Sequence, residues 1–522
     1  MRIRNFQFRI ADLATIVLLI FLALFIATNL FRIDYGVYLR YRDGWWYLNR
    51  AWLHSHGIFD EVSFYTLAYP LMIGLVNFIV TDLPVSALIV NLICQFFALM
   101  GIYVLGAQVS GRLAGTIGVF VFALGKNNFG DFSMLYTLHP NVLFMPVSVW
   151  IVALAIQLSK QPSRRWSAGI GTLLAVAPFI RTEGFLWSLV ALVAFAAMRF
   201  QGCTWQTVGK HLLIIALIVS PAWIVYLLWF FAGADMPSGV GSSLDGESLE
   251  VALRALGTQV SEGTWAIMLA GAVALFLRKI SWNVTGEHIS ARICIKVNNL
   301  TILMLLFPFF IISYSAVLFP RIHGYSYPYT FPAIPYISVI CGIVLSEMLK
   351  LFLTRLAAVV AFVIIVCNAF SSIEPLPLPL EYQISSASIR QAIVELMDWK
   401  RANNHSEATF YTLCTDLMIF AQFDVRLPYT TLLFSSRRFA PPKQVLPQIA
   451  ERNDLLVVCP SFIGDLYIHP FNEPWTRLYR YWSGVERDNP ELADMARYPL
   501  EEVGRVREYI IYRVKSEGQN AQ

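Results

Sequence analysis

Long apolar runs separated by short polar turns dominate the first 371 residues. Runs near 13–31, 84–106, 113–125, 141–158, 168–180, 184–198, 211–231, 264–277, 300–319, 332–348 and 354–371 predict about eleven membrane helices, several of them shorter than the roughly 20 residues of a full crossing. The opening MRIRNFQFRIADL puts a basic head on an apolar run that is too long for a cleaved leader and lacks a small-residue cleavage site. It reads as a retained first span. A long loop, 32–83, follows it, and residues 65–80 of that loop (YTLAYPLMIGLVNFIV) are apolar but short, with Pro70 and Gly74 inside. Counting this run as a span reverses the side of every later loop, so it reads as a half-inserted or surface-lying helix.

After Ser372 the pattern changes. The linker IEPLPLPLEY disfavours helix. Beyond it, SIRQAIVELMDWKRA predicts a helix, ATFYTLC a strand, PPKQVLPQIAER a helix, DLLVVCP a buried strand and EYIIYRV a last strand. Alternating elements of this kind predict a small α/β domain. The expected fold class is therefore a multi-pass α-helical membrane protein, residues 1–371, followed by a soluble α/β domain, residues 372–522. No GxGxxG, P-loop or GxSxG occurs in the tail, so no chemistry is assigned to it. Cys414 and Cys459 each fall near a predicted strand end, either paired or as two buried thiols.

Composition supports this division. The chain is 57% hydrophobic and 14% charged with a mean hydropathy of +0.58, where soluble domains carry about 25% charged residues. Of its 73 charged residues (39 Lys/Arg and 34 Asp/Glu), 35 lie in 372–522, which leaves 38 for the first 371. A net charge of +5 without a basic stripe argues against a nucleic-acid partner.

Charge also orients the bundle, because short cytoplasmic loops are enriched in Lys and Arg. Arg2, Arg4 and Arg9, Arg112, then Lys160/Arg164/Arg165, Arg199/Lys210, Arg278/Lys279/Arg292/Lys296 and Lys350/Arg355 all fall on one side of the alternation. The expected placement is a cell inner (plasma) membrane, with the N-terminus cytoplasmic and the C-terminal domain extracytoplasmic.

The ionisable residues left for the outer side come from separate loops. Asp43 stands in RYRDGWWYLNRAW, Lys126, Asp131 and His139 in KNNFGDFSMLYTLHP, Arg181 and Glu183 in IRTEGFLW, and Arg321 and His323 in FPRIHGYSYPYTFPAIPY. Guanidinium and ammonium groups hold phosphate and an isolated carboxylate takes a proton, which is the equipment for using a lipid-linked phosphate donor.

These residues carry a family resemblance. The acid soon after the first span, the aromatic and Pro-containing SFYTLAYPL, the acidic second outer loop, the RTEG corner and the Arg/aromatic/Pro loop RIHGYSYPYTFPAIP resemble GT-C fold glycosyltransferases. Nearest are protein O-mannosyltransferases (glycosyltransferase family 39) and lipid A aminoarabinose transferases, which use polyprenyl-phosphate sugars. The resemblance implies hexosyl or pentosyl transfer, with inversion, to a lipid, glycan or protein acceptor in the cell envelope. It makes Asp43 the general base, and Asp131 an acceptor-binding position that in some members binds a divalent cation such as Mg or Mn. It gives Arg321, and more weakly Arg181, to the donor phosphate. From the residues themselves, Glu183, Lys126, His323 and Tyr325 stand as secondary candidates. Gly44 follows Asp43 where the mannosyltransferases carry an Asp-Glu pair.

Plainer readings stand beside these. Asp43 balances its neighbouring arginines or caps the helix predicted over WWYLNRAWLHSHG, Arg181 and Glu183 pair at a helix end, and Arg321 anchors at the headgroups. Trp45, Trp46, Tyr47 and Trp52, with the nearby arginines, read as interfacial anchors. A transporter or lipid-carrier flippase is the alternative function, although no internal repeat is visible.

Overall fold

Among the described residues of the membrane part, several helices reverse direction at very short connections. The computed structural model describes residues 44–57, 67–123, 138–233, 280–285, 288–293, 332–350, 386–412, 414, 417, 425–426, 442–459, 473–484 and 487–515. Nine α-helices precede the tail among these residues: α1 (Gly44–Ser55), α2 (Ala68–Val80), α3 (Leu83–Ser110), α4 (Arg112–Ala123), α5 (Pro140–Lys160), α6 (Arg164–Ile180), α7 (Ser188–Phe200), α8 (Trp205–Gly233) and α9 (Ile334–Lys350). The predicted spans at 13–31, 264–277, 300–319 and 354–371 lie outside the described residues.

Among the described residues four stretches are long and apolar enough to cross a membrane: Leu83–Ser110, Pro140–Lys160, Glu183–Phe200 and Trp205–Leu228. At a rise of about 1.5 Å per residue, α3 with its 28 residues is about 42 Å long. Its start is set by Asp82, whose carboxylate accepts the Val85 N–H at 3.0 Å, with Pro84 in the first turn. His139 starts α5 in the same way and accepts the Asn141 N–H through Nδ1 at 3.2 Å. The run 184–198, expected as one span, begins with a 3-10 turn, Thr182–Trp187, ahead of α7.

Gly111 alone separates α3 from α4, so the two must run antiparallel, and they pack together. α5 packs on α3 and α6, α6 on α8, and α9 across α4 and α3. Small residues permit the closest of these approaches. A methyl group built on Gly342 of α9 would overlap the Ala114 carbonyl oxygen of α4. Lys160 Nζ donates to the Gln108 carbonyl at 2.6 Å, and Ser167 Oγ meets His211 Nδ1 at 2.7 Å, so α3 ends beside the end of α5 and α6 starts beside α8. Arg112, Lys160, Arg164, Arg165, Arg199 and Lys210 thus collect at one end of the bundle. Asp82, His139 and Arg181 lie at the other.

α2 is 13 residues long, about 20 Å, against about 30 Å of bilayer hydrocarbon. Tyr69, Ile73, Gly74 and Asn77 are buried on one face, while Met72, Leu75, Phe78 and Ile79 (86%) stay exposed on the other.

Residues 280–293, expected as a loop, contain an antiparallel ribbon of β1 (Ile280–Thr285) and β2 (His288–Ile293). In the tail, α10 (Ser386–Ala402), α11 (Pro442–Glu451) and α12 (Glu473–Trp482) accompany β3 (Phe410–Thr412), β4 (Val425–Arg426), β5 (Leu455–Val458), β6 (Leu500–Val506) and β7 (Tyr509–Val514). These strands form one sheet in the order β4-β3-β5-β7-β6. β3 pairs in parallel with β4 and β5, and β7 is antiparallel to β5 and β6. β5 is buried along its whole length, as its unbroken apolar run dictates. A disulfide joins Cys414, just past β3, to Cys459, just past β5, across a Cα separation of 6.0 Å.

Candidate functional site

α1 begins at the residue after Asp43, and every side chain from 47 to 54 is buried. Burial all round means that partners cover every face. α2 and α3 pack on the helix, and a methyl on Gly74 of α2 would lie 2.7 Å from the Ala51 carbonyl oxygen, so only glycine allows this approach. From the tail, the Val425 carbonyl of β4 accepts the Asn49 amide at 2.7 Å. Tyr47 and Trp52 are therefore core residues, contrary to the expected interfacial belt. Arg50, also expected at the interface, is 4% exposed. A cation this deep is costly unless it is engaged, and Arg50 is among the residues with a partner.

Rings from three elements meet here. Tyr47 packs edge-on to Tyr69 of α2 at 5.7 Å and to His139 at 6.3 Å between ring centres. The Tyr69 hydroxyl donates to Asn91 Oδ1 of α3 at 2.7 Å. His139 spends Nδ1 on the helix cap, so a neutral ring carries its proton on Nε2. His54 lies on the same helix as Tyr47, and burial, with the Arg50 charge adding to it, pushes its pKa down to about 4. Its ring is neutral at physiological pH.

Arg181 and Glu183 form a bidentate pair in the corner between α6 and the 3-10 turn, with Nε donating to Oε2 at 3.0 Å. Their side chains are only 11% and 15% exposed. The ion pair and the phosphate role weighed for Arg181 are compatible, since a guanidinium has five donors. On the same end, Arg390 of α10 forks onto Asp82 at the α2–α3 corner, Nη2 donating to Oδ1 at 3.3 Å.

Asp43, Lys126, Asp131, Arg321, His323 and Tyr325 lie outside the described residues. In sequence Asp43 directly precedes α1, Lys126 and Asp131 fall between α4 and α5, and the other three precede α9. Among the described residues no group of three or more His, Cys, Asp or Glu could hold a metal ion. The carboxylate expected to take one, Asp131, is outside them. Tyr69 and Asn91, buried polar side chains of α2 and α3, are not among the candidates that the sequence singles out. For Asn91 a signal was present, since Asn91 and Gln95, four apart in the apolar run of α3, point to one polar face inside the bundle.

Comparison with solved structures defines this arrangement. ArnT from Cupriavidus metallidurans bound to undecaprenyl phosphate superposes with a TM-score of 0.56 over 97% of this chain and 98% of that one, at 9% identity. The chain has the GT-C fold. The apo form of the same ArnT gives a TM-score of 0.54 over 96% and 98%, at 11% identity. An oligosaccharyltransferase from Archaeoglobus fulgidus, in complex with Zn and sulfate, aligns with a TM-score of 0.44 at 12% identity, covering 84% of this chain and 65% of that one. No protein-family model and no curated protein matches the sequence. In this fold α1 packs on α2 and α3 and is joined to β4 of the tail sheet through Asn49.

Proposed function

We propose that this chain is an integral-membrane glycosyltransferase that moves a sugar from a polyprenyl-phosphate donor to an acceptor on the extracytoplasmic side. The observation that carries the reading is a fold likeness spanning 97% of the chain to an ArnT that binds undecaprenyl phosphate. On this reading about eleven helices span the membrane, and residues 372–522 form an extracytoplasmic α/β domain. The Cys414–Cys459 disulfide supports that side for the tail, because such bonds persist in oxidising compartments. The basic residues gathered at the opposite end of the bundle support a cytoplasmic placement there.

Asp43 accepts the proton of the acceptor hydroxyl as its oxygen attacks the anomeric carbon, on the face opposite the phosphate. The bond from that carbon to the phosphate oxygen breaks, and polyprenyl phosphate leaves with the bonding electron pair. Arg321 and Arg181 stabilise the charge that develops on it. Glu183 fixes the guanidinium plane of Arg181 through Nε and Nη2. Asp131 serves the acceptor or a divalent cation. Low dielectric at the bilayer edge strengthens each of these terms.

Reconstituted protein should transfer labelled sugar from a polyprenyl-phosphate donor, and Asp43→Asn should slow transfer by about 10²–10⁴-fold with little change in donor binding. An Asp43→Asn protein that transfers at the normal rate sinks the mechanism. Movement of intact lipid-linked sugar across the bilayer without any product sinks the reading as a whole.

A further inference from the structure

The tail is attached to the part of the bundle that carries the proposed base, and the attachment is specific. Asn49 is buried, and its Nδ2 donates across 376 positions of sequence to the Val425 carbonyl at 2.7 Å. Val425 belongs to β4, the outermost strand of the sheet. A sheet edge is a row of backbone groups seeking partners, and here a side chain of α1 supplies one. A second attachment joins Arg390 of α10 to Asp82, where α2 turns into α3. α1 is therefore joined to the sheet through Asn49, while α3, which packs against α1, is joined to the same domain through Asp82.

We infer that Asn49 is a positioning residue, through which the C-terminal sheet sets the placement of α1 and with it of Asp43, the residue immediately before that helix. The inference rests on the reading of Asp43 as general base. Asn49 lies six positions beyond the carboxylate, on a helix buried from Tyr47 to His54, and acts through that helix. A base must sit within hydrogen-bond reach of the hydroxyl it deprotonates, and small misplacements of a catalytic group cost large factors in rate. The soluble domain is then a working part of the enzyme: it holds the base in register with the bundle.

The test uses the full chain in proteoliposomes with a polyprenyl-phosphate sugar donor. Asn49→Leu keeps the bulk and removes the donor N–H, while Asn49→Gln keeps an amide on a longer stem. For Asn49→Leu the expected result is a fall in kcat of about 10-fold or more, with KM for the donor within about two-fold. Hydrogen exchange over residues 47–54 should rise, and Asn49→Gln should recover part of the rate. Arg390→Ala, a half-exposed site that does not disturb the core, should lower kcat in the same direction by less. Wild-type kcat in Asn49→Leu, or a raised KM at unchanged kcat, overturns the inference. Should Asn49→Leu fail to fold, Arg390→Ala decides, and unchanged kcat there overturns it equally. A wild-type protein that transfers no sugar removes the underlying reading, and the inference with it.

Discussion

Asp82 serves two masters: one carboxylate closes the first turn of α3 by accepting the Val85 N–H at 3.0 Å, and the same group takes the Arg390 guanidinium from α10. The first contact is local, set by a Thr-Asp-Leu-Pro sequence that stops one helix and starts the next. The second joins positions 308 apart. The two can be separated by mutation. Asp82→Asn keeps an oxygen for the cap and loses the charge, and with Arg390 41% exposed the ion pair contributes at most about 1 kcal/mol. Asp82→Ala loses the cap as well, about another 1 kcal/mol. Thermal unfolding in detergent should therefore rank wild type above Asp82→Asn and Asp82→Asn above Asp82→Ala. Equal midpoints for the two variants would show that the cap contributes nothing.

His54 makes the packing of α1 sensitive to pH. Its folded pKa is depressed to about 4, from an ordinary value of 6.5, chiefly by burial and then by the Arg50 charge. The folded state therefore resists a proton that the unfolded chain accepts. Stability is full above pH 6.5 and declines as pH falls towards 4, at a limiting slope of about 1.4 kcal/mol per unit for one proton. His54→Gln should flatten that slope between pH 6.5 and 4 in denaturant unfolding. A slope unchanged by the substitution would assign the titration to another group.

Gly74 is a stricter test of how α1 is held. A β-carbon at this position lies 2.7 Å from the Ala51 carbonyl oxygen, and backbone has no rotamer with which to yield. Gly74→Val should push α2 off α1 and destabilise by about 1–3 kcal/mol. On the proposed function it should also cost activity, whereas Leu75→Val, on the exposed face of α2, should cost neither.

What was legible in the sequence follows from range. Apolar runs at 84–106, 141–158 and 211–231 match α3, α5 and α8 closely, because a stretch of that length and hydropathy has one stable arrangement. β5 and β7 were readable from the continuous runs LLVV and YIIYRV. β6 was not, because Glu501, Glu502 and Arg505 leave its apolar alternation broken on an exposed edge. α1 shows the limit most clearly. Arg50, Asn49, His54 and two large rings within a few residues describe an interface by composition alone. They are buried because α2 and α3 pack on the helix and β4, from the far end of the chain, meets it at Asn49, contacts that no local pattern encodes.

The Cys414–Cys459 bond links chemistry to sidedness. It closes a loop across a separation of 45 residues, for which chain entropy predicts about 4 kcal/mol of stabilisation. The paired variant Cys414→Ser/Cys459→Ser should unfold at a correspondingly lower denaturant concentration. In denatured but unreduced protein these two positions should resist a maleimide, and each should take one label after reduction. The same reagents report orientation if a membrane-impermeant reductant and an impermeant maleimide are applied to intact cells. A tail on the extracytoplasmic side is labelled at Cys414 and Cys459 without opening the cell, while Cys203, at the basic end of the bundle between α7 and α8, is not. Labelling at Cys203 alone would invert the proposed topology and place the sheet on the cytoplasmic face.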